Sequence, residues 1–223
     1  MREQSCCLTV TLEDQMAKVG SSVRKAIEDW SSGDFDFAML HACNAVDGTA
    51  SKLHPKDGSN KRFTQTLRDN YAIVGPMAAP GIDLVNTRWP VNVPRPKAPG
   101  GQADFADVIY GIHRCSHGHG SELPDGFELL PDATRLDGVT RIHVEKGKVR
   151  LSDRVIFGLL AVAVLSSANA DQRVPDGYFL TLGGTKLLIN DWWGRAVDFL
   201  PLAATEPLPN VLLDFGDWMI DIK

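Results

Sequence analysis

The chain has 223 residues, a formal net charge of −5 at pH 7, 43% hydrophobic residues and 23% charged residues, as in an ordinary globular protein. The negative charge argues against nonspecific coating of nucleic acid. The longest apolar run, residues 155–165, is shorter than the roughly 20 residues needed to cross a bilayer. Because the first residues lack the apolar run of a secretion signal, we expect a cytoplasmic protein whose four cysteines are reduced thiols.

The first part of the chain predicts helices. Apolar residues at steps of three and four follow Thr11, a capping residue, and predict a first helix that ends at residues 31–33. Asp34 is expected to cap a second helix that stops before Pro55, so the two helices should form an antiparallel hairpin. A third helix is predicted at residues 61–73. Residues 75–101 hold six of the thirteen prolines, which excludes a regular helix or a central strand there.

The densest group of polar side chains lies at residues 107–122, D-V-I-Y-G-I-H-R-C-S-H-G-H-G-S-E. Apolar residues at helical spacing predict that this stretch begins as a helix: Phe105, Val108, Ile109 and Ile112. Gly118 and Gly120 indicate where the helix ends. The helix should therefore carry Arg114, His117 and His119 to its own terminus, which is a suitable place for chemistry.

The remainder alternates between short strands and helices. The sequence first predicts a short strand at 127–130 and a hairpin at 139–151 that turns at 145–147. A helix capped by Ser152 and Asp153 should then run through Leu165, followed by a hairpin at 178–189 that turns at Gly183 and Gly184. The last predicted elements are a helix capped by Asp191 that ends near Pro201 and an apolar tail at 211–222 that is a strand or a docking segment.

Three interpretations of the Arg/His stretch are open from the residues alone. Arg114 and His119 can form an R-x4-H pair that cleaves RNA without a metal, since arginine binds phosphate oxygens and histidine transfers protons near neutral pH. His113 and His117, four residues apart, can instead bind a metal with His119 or Glu122. In the third interpretation the histidines are structural and Arg114 pairs with a carboxylate such as Asp47.

Residues 60–100 carry six cations and two anions, so this segment has a formal charge of +4 and the rest of the chain has −9. This distribution allows a local basic surface on a protein of negative net charge.

Two phrases of the sequence resemble the HEPN superfamily. They are D-F-A-M-L-H-A-C-N-A-V-D-G-T-A-S-K in the second helix and I-Y-G-I-H-R-C-S-H-G-H-G-S-E-L-P further along. HEPN domains are all-helical and usually dimeric, and many are metal-independent ribonucleases of toxin and antiviral systems. Their R-x4-6-H signature is matched by Arg114 and His119, whereas Cys115 stands where active members often have Asn, His or Asp.

The resemblance covers about residues 10–122 and implies a HEPN-like helical bundle there, and the residue patterns add small β-hairpin insertions in the C-terminal half. Together they predict a mainly α fold. We expect one domain over residues 1–223, with a helical core at about 10–122 and 152–170. The hairpins would occupy about 126–151 and 178–190, and a C-terminal helix and tail 191–223.

The resemblance also implies a function, a homodimeric, metal-independent endoribonuclease that leaves 2′,3′-cyclic phosphate ends and uses no cofactor. Arg114 would hold the scissile phosphate, His119 would be the general acid/base, and His117 a second proton-transfer or phosphate-binding residue. Residues expected to support the site or bind RNA are Asn44, Asp47, Lys52 and Tyr110. RNA, an antitoxin or a regulatory protein would be partners, and no membrane is expected. The alternative is a catalytically inactive HEPN-like dimer that binds RNA, a nucleotide or a protein.

Overall fold

The computed structural model describes residues 19–118, 120–135, 138–205 and 208–219. Within these residues the protein is mainly helical, with two small antiparallel hairpins, which confirms the expected fold class at this level. No helix of the described part is long and apolar enough to span a membrane.

The first two helices form the expected hairpin. Helix α1 (Val19–Ser31) packs against α2 (Phe35–Leu53) across a short turn. Asp34 caps α2 as predicted, because its side chain accepts a hydrogen bond of 3.1 Å from the Phe37 amide. The predicted start of the first helix at Thr11 lies outside the described residues.

The next helical region differs from the prediction. Helix α3 (Ser59–Asp69) begins earlier than expected, and Asn70 separates it from α4 (Tyr71–Ala78). The exclusion of helix after residue 75 was wrong at this end, since α4 contains Pro76. In this eight-residue helix the proline removes one backbone bond, the one that an N–H at this position would donate to the carbonyl of Ala72.

Helix α7 (Arg154–Leu165) forms the centre of the core. Ten of its twelve residues are buried, and it packs against α2, α4 and α1. A Cβ added at Gly158 would lie 2.7 Å from the Cβ of Ala78, so α7 and α4 can approach this closely only because residue 158 is glycine. The buried cluster extends from Val19 on α1 to Phe199 near the end of the described chain.

Both predicted hairpins are present. Strands β1 (His143–Glu145) and β2 (Lys148–Arg150) pair Val144 with Val149. Strands β3 (Phe179–Leu182) and β4 (Thr185–Leu188) pair Leu180 with Leu187.

Two predictions in the C-terminal half were wrong. Residues 127–130 form no strand but a single bridge between Leu130 and Ser152, because the following Pro131 has no N–H to continue a ladder. Asp191 does not cap a long helix. It lies inside the short α8 (Ile189–Trp192), which begins directly after β4, and the Asn190 side chain in this helix binds both backbone groups of Val174.

A separate helix α9 (Ala196–Ala203) follows, with Arg195 at its start in an ion pair with Asp198. In the tail, Val211 bridges Ile82 and Gly216–Met219 form a short 3-10 turn; the last residues of the predicted tail lie outside the described chain.

Candidate functional site

The predicted Arg/His helix is present, but its middle is wider than an α-helix. Helix α5 (Phe105–Val108) continues as a π-helical turn (Ile109–Arg114) and then as α6 (Cys115–Gly118). A Cβ on Gly111 would overlap the Val93 side chain, so glycine lets the proline-rich segment approach the π turn. Such turns occur frequently at functional sites. Gly120, with φ +66°, turns the chain away after α6, as its position predicted.

Arg114 lies at the end of the π turn and binds α2. Its Nε and Nη2 atoms both lie 2.9 Å from Oδ2 of Asp47, and the two side chains are 26% and 15% exposed. Burial opposes the charge of the guanidinium, but the carboxylate outweighs it and raises the pKa of Arg114. The structure therefore forms the pair with Asp47 that the third sequence interpretation proposed.

The Arg114–Asp47 pair leaves hydrogen-bonding groups unused. Nη1 of Arg114 donates to no described residue and faces Gly118, where an added Cβ would lie 3.8 Å away. Oδ1 of Asp47 is buried and has no hydrogen-bond partner either. The pair is thus held along one edge, and the other edge of the guanidinium can bind an anion.

Tyr110 connects Arg114 to the start of α3. The Arg114 Cζ atom lies 5.4 Å from the centre of the Tyr110 ring, a cation–π contact, and that ring packs on Phe63 at 5.4 Å. The Tyr110 hydroxyl forms a 3.1 Å hydrogen bond with the Ser59 hydroxyl at the first turn of α3. Tyr110 was predicted as a supporting residue, and the structure places it beside Arg114; Ser59 was not predicted.

The two described histidines of the helix have different environments. His113 is fully buried, neither ring nitrogen has a hydrogen-bond partner, and burial lowers the pKa of its imidazole to about 3. His117 is partly buried, and burial also lowers its pKa, although Asp36 opposes this effect. The two rings stack 6.1 Å apart. Both imidazoles are therefore neutral at pH 7, and His119 lies outside the described residues.

The remaining predicted supporting residues lie on α2 but do different things. Asn44 is exposed three residues before Asp47, on a neighbouring part of the helix surface. Lys52 donates to Ala168 O at 3.1 Å and to Asn169 Oδ1 at 3.0 Å, so it fixes the segment after α7. The structure thus brings Asp47 to Arg114 and directs Lys52 elsewhere.

The described residues contain no set of side chains that could act as the ligands of a metal ion. No group of three or more His, Cys, Asp or Glu side chains in the described ranges is arranged to hold an ion. His113, one half of the suggested ligand pair, is enclosed in the apolar core, so its nitrogens face no open coordination position.

A buried ionic network that was not predicted from the sequence lies at the start of the helix that carries Arg114. Arg68 Nε binds Asp104 Oδ2 at 2.7 Å and its Nη2 lies 3.0 Å from Asp107 Oδ2, while Tyr71 donates to Asp104 at 3.0 Å. Burial is the largest single influence on the Asp104 carboxyl and raises its pKa. Arg68, the Asp107 amide and the Tyr71 hydroxyl together outweigh burial, so the net shift of the pKa is downward. Asp107 in turn accepts the amides of Lys97 and Ala98. The network attaches the proline-rich segment to the start of the site helix.

A sequence signal for this network exists. Asp104 followed three residues later by Asp107, just before an apolar helical run, is a helix-start pattern of the capping-box type. The structure uses Asp104 in this way, since it accepts the Asp107 amide at 3.0 Å.

Fold and site together define a mainly helical protein whose polar centre is an Arg–Asp pair at the end of a π-helical turn. The model of the Rv1289 family matches residues 18–219, and the chain belongs to that family.

Two mycobacterial proteins show the same degree of similarity. Uncharacterized protein Rv1289 of Mycobacterium tuberculosis (strain ATCC 25618 / H37Rv) is 42% identical over 199 residues, which cover 89% of this chain and 94% of that protein. Uncharacterized protein Mb1320 of Mycobacterium bovis matches with the same identity and coverage. No solved structure matches the chain.

Proposed function

We propose that this protein is a HEPN-type endoribonuclease that cleaves RNA without a metal ion. The observation that carries the proposal is the open edge of Arg114. Its guanidinium is fixed by Asp47 through Nε and Nη2, and Nη1 is left without a partner among the described residues. A fixed, partly exposed guanidinium is well placed to bind the phosphate of a phosphodiester. It supplies a positive charge and hydrogen-bond donors that need not change position when the substrate binds.

The chemistry requires a proton acceptor for the ribose 2′-OH and a proton donor for the departing 5′-oxygen. Attack of the 2′-oxygen on phosphorus breaks the bond to the 5′-oxygen and leaves a 2′,3′-cyclic phosphate and a 5′-hydroxyl. His119 is the proposed general acid/base. His117 is the second candidate, since it lies one turn from Arg114 and burial keeps its imidazole neutral and able to accept a proton.

A basic surface next to the site supports RNA as the substrate. Tyr110 joins Arg114 to the first turn of α3, and Asn60 in that turn donates to the Arg95 carbonyl at 3.5 Å. Exposed or partly exposed cations lie on these segments: Lys56, Lys61, Arg62, Arg95 and Lys97. Of these, Lys61 pairs with Asp57. A polyanion can therefore approach Arg114 from this side despite the negative net charge of the chain.

The proposal includes a homodimer, as in other HEPN proteins, so that two copies of the Arg/His helix would face one RNA strand. Phe37 on the first turn of α2 is 56% exposed and follows Asp36, whose charge acts on His117. Phenylalanine is enriched at protein–protein interfaces, so in the proposed dimer Phe37 is a residue that the second protomer would cover. A role in a toxin system or in antiviral defence, with an antitoxin or regulatory partner, belongs to the same proposal.

A second function is favoured by the Arg114–Asp47 pair itself. A guanidinium that already has a carboxylate partner is partly neutralised, and Cys115 replaces the Asn, His or Asp frequent in active HEPN proteins. These features suit a catalytically inactive HEPN-like dimer that binds RNA, a nucleotide or a protein. Binding without cleavage is therefore the competing hypothesis.

The test is cleavage of a 5′-labelled single-stranded RNA by the purified protein in EDTA. The chain is compared with Arg114→Ala/His119→Ala and with a matched control, Arg173→Ala/His143→Ala, which changes an exposed arginine and an exposed histidine elsewhere. Cleavage in EDTA that leaves cyclic phosphate ends, retained by the control and lost by the site variant, is the expected result. RNA binding without cleavage would establish the inactive alternative, and cleavage that requires a divalent ion would contradict both.

A further inference from the structure

A cavity separate from the Arg114 site lies between α1, α7 and the β3–β4 hairpin. Its volume is about 890 Å³, within the range of small-molecule sites. Aromatic and aliphatic side chains form most of its wall: Ile27, Trp30, Met77, Phe157, Tyr178 and Leu180. The Trp30 and Phe157 rings meet edge to face at 4.8 Å, which gives this part of the wall a fixed shape.

Arg154 is the only cationic side chain among the described residues that line this cavity. Its Nε atom is buried and has no hydrogen-bond partner, and its guanidinium forms no ion pair with a described residue. A buried donor without a partner costs free energy, and the rest of the Arg154 side chain is only partly buried. The apolar cavity thus contains one unsatisfied charged donor.

The nearest carboxylate in sequence does not serve Arg154. Asp153 is buried, and its Oδ1 accepts the amides of Asp132 and Ala133 at 2.8 Å, while its Oδ2 accepts Trp30 Nε1 at 2.9 Å. Its oxygens are therefore committed to the backbone and to the tryptophan, which leaves Arg154 available for a ligand.

Two other carboxylates line the cavity and limit what it can hold. Glu28 accepts from the Tyr178 hydroxyl at 2.7 Å and from Arg24 at 2.8 Å, and Asp176 accepts from Asn190 at 3.0 Å. The Tyr178 hydroxyl lowers the pKa of the Glu28 carboxyl, so Glu28 is ionised at pH 7. A ligand with a second negative charge would be repelled by these groups.

We propose that this cavity binds a small amphipathic carboxylate with a single negative charge. The apolar body lies against Trp30, Phe157 and Leu180, and the carboxylate pairs with Arg154. An arginine fork matches the two oxygens of a carboxylate, and the pairing gains strength in an apolar enclosure. This site is independent of the proposed ribonuclease activity and takes a different class of ligand.

The experiment compares three ten-carbon probes by isothermal titration calorimetry, below the concentration at which any of them forms micelles. Decanoate carries one negative charge, decanol carries none, and decanedioate carries two. Decanoate is expected to bind at least about tenfold more tightly than either of the others, because only it pairs with Arg154 without facing Glu28 and Asp176 with a second charge. Equal affinity for decanoate and decanol would overturn the proposal.

Substitutions then locate the charge. Arg154→Met keeps the length of the side chain and removes the guanidinium, so it should weaken decanoate at least about tenfold and leave decanol unchanged. Arg154→Lys should retain part of the preference for decanoate, and Arg173→Met, a change at an exposed arginine elsewhere, should retain all of it. Circular dichroism and the melting temperature establish that each variant is folded. Unchanged decanoate binding by a folded Arg154→Met variant, or no binding of decanoate by the unmodified protein, would refute the proposal.

Discussion

Replacing Arg68 with methionine tests the buried network that positions the site helix. Asp104 and Asp107 are each 2% exposed, and Arg68 is the cation that contacts both carboxylates. Methionine fills similar space but leaves two negative charges in the interior. Removing one partner from a buried ion pair costs about 3–5 kcal/mol, because the remaining charge is uncompensated. With a urea m-value of about 3 kcal/mol/M, the unfolding midpoint should fall by about 1–1.7 M.

The pH dependence gives this experiment a second readout. In the unmodified protein the pKa of Asp104 is lowered, so its ion pair stabilises the fold above the ordinary pKa of 3.8, and that contribution is lost as the pH falls through the lowered value. In Arg68→Met burial still raises the pKa of Asp104, and only the bonds from the Tyr71 hydroxyl and the Asp107 amide remain to oppose it. The pKa should therefore rise relative to the unmodified protein, and protonation should relieve part of the cost as the pH falls from 7 to 5.

The control is Arg24→Met, which breaks an exposed pair with Glu28 and should change the free energy of unfolding by less than about 1 kcal/mol. A loss in Arg68→Met as small as in this control, or one that does not shrink at pH 5, would refute the role of the network.

Three further predictions concern the core and the site. Burial lowers the pKa of His113 to about 3, so the folded protein should lose stability as the pH falls from about 6.5 toward 3. This loss should be on the order of 4 kcal/mol in the free energy of unfolding, and His113→Leu should remove it. Urea titrations across that pH range measure the effect, and the variant should differ little from the unmodified protein at pH 7. Gly158→Ala should destabilise the fold by about 1–3 kcal/mol through overlap with Ala78, and Gly158→Ala/Ala78→Gly should recover most of this by calorimetry; a double variant no better than the single would disprove the contact. Asp47→Asn weakens the anchor of Arg114 but removes a negative charge, so kcat for RNA cleavage should fall about tenfold while RNA affinity does not decrease; a fall in affinity with unchanged kcat would contradict the positioning role.

Local signals in the sequence were enough to predict much of the fold. The cap at Asp34, the α2 helix, the apolar α7 and both hairpins follow from periodicity and turn residues. These elements are decided by neighbours a few residues apart, so a single sequence is sufficient to identify them.

The missed features depend on contacts between distant segments. The π turn at Ile109–Arg114 accompanies the close approach of Val93 to Gly111, eighteen residues further along the chain, which no local pattern reports. The Arg68–Asp104 pair and the bond from Lys52 to Asn169 likewise join separate parts of the chain. Arg114 and Asp47 were both named from the sequence, but only the structure shows that a single oxygen of Asp47 receives two atoms of the guanidinium.

The chemistry of the RNA ends formed in EDTA tests metal-independent cleavage by Arg114 and His119 most directly. If Arg114 and His119 are the catalytic groups, the unmodified protein leaves 2′,3′-cyclic phosphates and 5′-hydroxyls, and Arg114→Ala/His119→Ala leaves the RNA intact. Equal cleavage by the unmodified protein and the double variant would show that these residues are not the catalytic groups. Intact RNA in both samples, with RNA bound to the unmodified protein, would contradict the ribonuclease proposal and establish a binding protein instead.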